Sequence, residues 1–189
     1  MTTLPAPAPA APPAEPTGAR LGPVLIAFAI GTAAAVGLGA YGRVHSPTGQ
    51  AINLAGFSSG LAAKSALTTA AFVFACLQLV TGLGLFGRIP LSGTWVAPLH
   101  RWSGRIAVAF TVPVAVHCLY ALGFQTFDAR VAVHSILGCF FFGAFISKML
   151  TLTRDDSPGW ALPVLGGVVF SAVTALWMTA ALWYFMGGA

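Results

Sequence analysis

Two histidines lie at membrane depth in this chain, within apolar segments that contain no carboxylate. They are His117, in the segment Gly104–Phe124, and His134, in the segment Val131–Thr151. An ionisable side chain inside a membrane-spanning helix is costly, so its presence indicates a functional site. A histidine without an acidic partner favours a role as a nitrogen ligand, and in a membrane helix bundle the usual recipient is haem iron. These residues therefore predict a haem-binding site.

The positions of these histidines along their helices suit one shared ligand. At the rise of an α-helix, His117 lies about 10 Å and His134 about 6 Å from the same side of the membrane. Neighbouring antiparallel helices pack about 8–10 Å apart, which is tight for a porphyrin, so the two helices must splay or lie diagonally. His45, after the first apolar segment on the same side, is an alternative partner for either histidine. Gly138, one turn after His134, lacks a side chain and would let a flat ring approach.

Each histidine also has an explanation that needs no ligand. His134 and His45 lie near a membrane interface, where an imidazole can reach water. His117 can form a hydrogen bond with a carbonyl or hydroxyl of a helix, such as that of Thr111. The sequence leaves these alternatives open.

The opposite side of the membrane carries His100, with Arg101 directly after it. A bundle with two haems usually supplies stacked histidines about four turns apart, yet Ser103 and Lys148 stand at those positions. A second haem would need an unusual ligand pair such as His100 with Met149. Without a second haem, His100 and Arg101 could hold haem propionates or a lipid phosphate, or serve as a positive anchor at the cytoplasmic face.

The composition predicts an all-α integral membrane helix bundle. Of the 189 residues, 57% are hydrophobic and 7% are charged, whereas a soluble domain has about 25% charged residues. Each apolar segment has about the 20 residues that cross a bilayer. The five predicted segments are Leu21–Tyr41, Ser65–Phe86, Gly104–Phe124, Val131–Thr151 and Leu162–Met186. We expect residues 21–189 to form the transmembrane domain, with a four-helix core and a peripheral first helix, after a disordered Pro/Ala-rich tail at residues 1–20.

The charged residues predict orientation rather than binding of a polyanion. Nine Lys and Arg against four Asp and Glu give a net charge of +5. Because the basic residues flank apolar segments and form no stripe, nucleic-acid binding is excluded and membrane lipid is the expected surrounding. Six basic residues fall on the side of the N-terminus and three on the other. This bias predicts a multi-pass protein of the cell membrane with a cytoplasmic N-terminus and an external C-terminus.

The pattern of the cysteines excludes one type of haem attachment. Cys76, Cys118 and Cys139 all lie inside apolar segments, where a thiol behaves as a small hydrophobic group. No Cys-x-x-Cys-His motif is present in the sequence, so a covalently attached c-type haem is excluded.

Short motifs give the chain two resemblances. Through the motifs at Leu99–Arg105, His117–Tyr120, Val133–Gly138 and Pro158–Pro163, it resembles an uncharacterised actinobacterial family of polytopic membrane proteins, a domain of unknown function, over roughly Ala63–Tyr184. More distantly, a His-Arg-x-x-Gly motif opening a helix, with further histidines in that helix and the next, is similar to the cytochrome b561 and ferric-reductase-like membrane cytochromes. Those proteins are helix bundles that bind b-type haem through histidine pairs and move electrons across or into the membrane.

The resemblances imply residue roles and partners. His117 and His134 match the ligand positions of the cytochromes, and His100 with Arg101 matches the motif that opens the helix. The chain departs from the two-haem pattern because the partner of the inner site is missing. The implied protein holds a single haem b near the external leaflet. The closer family further implies an external iron–sulfur protein of the Rieske type as a redox partner.

Three functions compete on this evidence. The first is a haem b electron carrier that exchanges electrons with quinol or an external iron–sulfur protein. The second is a non-catalytic membrane subunit or assembly factor of a respiratory complex without haem, in which the histidines are structural and small-residue faces such as Gly31/Ala35 and Gly138/Gly143 serve helix packing. The third, a small transporter, is disfavoured because the apolar segments contain no carboxylate and no inverted repeat.

Overall fold

The computed structural model describes residues 20–50, 53 and 56–188, and within these residues the chain is helical without strands. The fold class predicted from the sequence is confirmed, because five helices are long and apolar enough to cross a membrane. These helices are α1 (Gly22–Val44), α2 (Gly60–Leu85), α3 (Val96–Val116), α4 (Ala129–Leu152) and α5 (Ala161–Trp177). The tail predicted at residues 1–20 lies outside the described residues, except for Arg20.

Two of the helices continue into π-helical segments. α3 runs into π1 (His117–Leu122), and α5 runs into π2 (Met178–Leu182) and a last turn, α6 (Trp183–Phe185). A π-helical turn is wider than an α-helical one and frequently occurs at functional sites. Both segments lie at the end of the bundle where the last helix finishes. We call this end the C-terminal side and the opposite end, where α1 begins, the N-terminal side.

Two helices begin earlier than the apolar pattern of the sequence indicates. α2 begins after Ser59, whose hydroxyl accepts the Ala62 amide hydrogen at 3.1 Å. α3 begins at Val96, where Pro98 in the first turn requires no amide bond. As a result Lys64 and His100 belong to helices rather than to loops. Hydropathy marks only the apolar part of a helix, whereas capping groups decide where the helix begins.

The helices pack in the order α3, α2, α5, α4 and α1. Along the described chain α3 and α4 make no extensive contact, although they are joined by a short loop. α1 packs extensively against α4 and also meets π1, so it bridges α4 and the end of α3.

Close packing of small residues joins α1 to α4. A Cβ atom placed on Gly143 would lie 2.5 Å from the Gly31 carbonyl oxygen and 2.8 Å from the Ala35 Cβ. Only glycine at this position lets the two backbones approach so closely. α1 is thus held against α4 by a tight glycine contact.

Candidate functional site

One face of α4 carries the side chains that the sequence singles out. His134, Gly138, Phe141, Phe145 and Lys148 recur every three or four residues and therefore share one face. Phe141 packs in the core with residues of α5, so this face is turned toward the interior of the bundle. A histidine thus lies near the C-terminal side and a lysine near the N-terminal side, with aromatic rings between them.

A threonine of π2 fixes the tautomer of His134. The His134 Nδ1 atom lies 2.9 Å from the Thr179 hydroxyl. That hydroxyl lies 2.8 Å from the carbonyl oxygen of Ala175, which can only accept a hydrogen bond. The single hydroxyl proton therefore goes to Ala175, and Thr179 accepts the hydrogen on Nδ1 of His134. The Nε2 atom keeps its lone pair, as in a histidine that ligates a metal through Nε2.

The same segment is tied to the start of α4 by an arginine. Arg130 donates through Nη1 to the Thr179 carbonyl at 2.8 Å. Its guanidinium also lies over the Trp183 ring, 3.7 Å from the centroid, and its Nη2 atom is 3.9 Å from Asp128. These contacts hold π2 against α4, so the threonine that orients His134 is itself held in place.

His117 is buried at the point where α3 becomes π1. Only 3% of its surface is exposed. Its backbone N–H is shared between the carbonyl oxygens of Pro113 and Val114. Pro113 has no backbone N–H to donate to the preceding turn, so it weakens the regular α-helical pattern just before the change to π-helix. The side chain is thereby presented from an irregular turn.

Lys64 lies at the same end of the bundle as the two histidines. Its ammonium group, one turn into α2, adds positive charge to the surroundings of both His117 and His134. Among the basic residues, Lys64 was counted only toward the orientation of the chain. Ser59, an N-cap residue five positions earlier, is the signal in the sequence that places Lys64 inside a helix.

Space remains beside His134. A Cβ atom on Gly138 would have no described neighbour within 4 Å. At this position α4 can therefore accept a flat group without displacing a described atom. The sequence-based role for Gly138 is compatible with this geometry.

His45 is engaged in the contact between α1 and π1. Its Nε2 atom lies 3.2 Å from the Tyr120 carbonyl oxygen, so Nε2 carries the hydrogen. Its ring stacks between Tyr41, at 5.0 Å, and Tyr120, at 5.1 Å. In this arrangement only Nδ1 offers a lone pair. The hydrogen bond and the two stacking contacts engage the His45 ring between α1 and π1 and disfavour it as a haem ligand.

His100 lies in a polar cluster on the N-terminal side. Its Nδ1 atom is 2.8 Å from the Thr81 hydroxyl, which is 2.7 Å from the Leu77 carbonyl oxygen. The same reasoning as for His134 therefore places hydrogen on Nδ1. Gln78 donates to the His100 carbonyl and, at 2.8 Å, to the Ser103 hydroxyl.

The surroundings of His100 do not include a second histidine among the described residues. Lys148 of α4 is within its electrostatic reach, whereas Met149 is 41% exposed on the outside of the bundle. Arg101 is exposed as well. Nowhere in residues 20–50, 53 and 56–188 do three His, Cys, Asp or Glu side chains converge as a metal cluster.

Comparison with known proteins identifies a family but no activity. No curated protein and no solved structure matches the chain. A family model described as a family of unknown function, DUF6529, matches residues 24–188. This match includes α2 to α5, all of α1 except its first two residues, and all four histidines. The chain therefore belongs to the family of unknown function DUF6529.

Proposed function

We propose that this protein is a membrane-embedded b-type haem protein that takes part in electron transfer, with His117 and His134 as the haem ligands. The observation that carries the proposal is the hydrogen bond from His134 Nδ1 to Thr179, which leaves Nε2 as a free lone pair beside the open space at Gly138. Ligating histidines are commonly oriented in this way by a hydrogen bond to the other ring nitrogen.

The remaining residues of the region fit a haem. His117 is a buried nitrogen donor in the same region, and Lys64 supplies positive charge for a propionate. The aromatic rings of Phe141 and Phe145 continue the apolar face below His134. Haem iron in such a site supplies one-electron exchange, while the chain holds, orients and shields it.

The proposal includes one haem rather than two. The cluster around His100 is formed by Gln78, Thr81 and Ser103, and no second histidine is hydrogen-bonded in it among the described residues. We therefore assign His100 and Arg101 to the opening of α3, as the resemblance to cytochrome b561 and ferric-reductase-like proteins implies. Electron transfer would then take place near one membrane face.

Orientation and partners complete the proposal. The excess of basic residues on the N-terminal side supports a cytoplasmic N-terminus in the cell membrane, which would put the proposed haem near the external leaflet. Quinol and an external Rieske-type iron–sulfur protein are the proposed redox partners. The first follows from the membrane location, and the second from the resemblance of the motifs.

A visible spectrum of the purified protein tests the proposal. The protein would be expressed with ample haem, purified in mild detergent and examined by reduced-minus-oxidised spectroscopy and a pyridine haemochrome assay. We expect a b-type α band and about one haem per chain. A folded protein without this band would refute the proposal and favour a haem-free subunit or assembly factor. A value near two would refute the single-haem assignment.

Removing the Thr179 hydroxyl should weaken haem binding. Thr179→Val keeps the shape of the side chain but leaves His134 without its acceptor, and loss of such a contact typically lowers affinity by roughly 10–100-fold. The measurement is a haem titration of the apoprotein. Thr174→Val is the matched control, because the Thr174 hydroxyl bonds only the Phe170 carbonyl of its own helix. Equal affinity in both variants would contradict the role of Thr179.

Filling the space at Gly138 should exclude haem without unfolding the protein. Gly138→Leu adds a side chain where a Cβ meets no described atom within 4 Å, so the helices need not move. We expect a folded protein with little haem by the haemochrome assay. Gly167→Leu, at a position of α5 that is as open as Gly138 and more exposed, should keep its haem. Full haem content in Gly138→Leu would place the haem elsewhere.

A further inference from the structure

A second feature near π1 is not used by the haem proposal. An apolar cleft of about 380 Å³ lies between α1, the end of α3 with π1, and α4. Leu38, Val112, Leu119 and Phe142 contribute to its walls. Its volume falls within the range of about 300–1,000 Å³ that is usual for small-molecule sites. Neither His117 nor His134 is among its lining residues.

The cleft opens toward the lipid. Val112 and Val116 line it and are each 49% exposed, although both lie in a membrane-spanning helix. A molecule that enters between them must come from the bilayer. The walls offer no charged group, so the part of the ligand that they contact is an apolar chain.

One end of the cleft has a different chemistry. Tyr41 of α1 and Tyr120 of π1 line it there, and the ring of His45 is stacked between them. The ring planes deviate by only 12° and 22° from parallel. Stacked aromatic rings suit a flat conjugated ring.

We propose that this cleft binds an isoprenoid quinone or quinol, with the tail between α1 and α3 and the ring at the Tyr41–His45–Tyr120 stack. The aromatic stack at one end and the aliphatic walls along the rest match the ring and the tail of such a molecule. The choice of quinol as occupant rests on the proposed electron-transfer function, but the binding itself requires no haem. Tyr120 shares the short π1 segment with His117, so the ring would lie close to a proposed haem ligand.

Photo-labelling tests the site directly. The full-length protein would be reconstituted in phosphatidylcholine vesicles with a short-tailed ubiquinone that carries an azido group on its ring, and the labelled peptides identified by mass spectrometry. We expect labelling of the segments that contain Tyr41 or Tyr120. Excess unlabelled ubiquinone should suppress the labelling, while excess phosphatidylcholine should not.

A pair of variants on one helix separates specific binding from partition into lipid. Val112→Trp fills the cleft and should abolish the labelling. Ile106→Trp adds the same side chain at a position of α3 that is 37% exposed and does not line the cleft, and should leave labelling unchanged. Leu38→Trp, from the opposite wall, provides a second blocking variant if Val112→Trp fails to fold.

The possible results are distinct. Equal labelling in the Val112 and Ile106 variants, or no labelling of wild type, would overturn the quinone site. Displacement of the label by phosphatidylcholine would assign the cleft to an acyl chain instead. A haem spectrum recorded on the same samples tests the other proposal separately. Specific labelling of a protein without haem would support the quinone site and refute the haem proposal. A haem spectrum without labelling would support the haem proposal and refute the quinone site.

Discussion

His117→Ala and His134→Ala are each expected to remove the b-type haem spectrum, whereas His100→Ala should retain it. Each of the first two changes deletes one of the two nitrogen ligands that would hold the haem. His100 is the matched control, because it too sits in a membrane-spanning helix with its Nδ1 bonded to a threonine hydroxyl, 2.8 Å from Thr81. The measurement is haem content per chain, after confirming that each variant elutes as the wild type does on size exclusion.

The pattern of loss identifies the ligand pair. If His134→Ala loses haem and His117→Ala does not, His45→Ala becomes the next variant, since His45 is the alternative partner on the same side. Full spectra in both His117→Ala and His134→Ala would show that the assignment of ligands is wrong. Loss of haem in His100→Ala alone would move the site to the N-terminal side, next to Lys148.

Gly31→Ala should separate α1 from α4 and destabilise the protein. A Cβ on Gly31 would overlap the Ser147 hydroxyl and the carbonyl oxygen of Gly143. A carbonyl of the neighbouring helix cannot rotate away as a side chain can, so the helices themselves must move. Overpacking of this kind costs about 1–3 kcal/mol. The unfolding free energy would be measured in mixed detergent and SDS micelles.

Gly37→Ala is the control on the same helix. No described atom lies within 4 Å of a Cβ at this position, and alanine is favoured over glycine inside a helix by roughly 0.5–1 kcal/mol. We expect Gly37→Ala to be neutral or slightly stabilising. Neither proposed haem ligand lies on α1, so Gly31→Ala should keep its haem under conditions where it remains folded. Equal stability of the two variants would contradict the tight α1–α4 contact.

The sequence by itself determined which parts of this chain form helices long and apolar enough to cross a membrane. Length and hydropathy along each segment are one-dimensional quantities, and the bilayer converts them directly into helices. The five helices were predictable in this way, and the similar depth of His117 and His134 stays a prediction. The starts of α2 and α3 were not, because capping by Ser59 and the first-turn Pro98 extend them beyond their apolar parts.

Only the tertiary structure decided which side chains meet. Spanning helices are apolar on nearly every face, so periodicity says little about how each is rotated or which neighbour it packs against. The pairing of His134 with Thr179, the approach of Lys64 to both histidines, and the filling of the His100 region by Gln78 depend on that rotation. The separation of α3 from α4 and the cleft beside α1 follow from lateral packing that small residues such as Gly31 permit. Depth is thus a property of each segment alone, whereas the site is a property of how the segments pack.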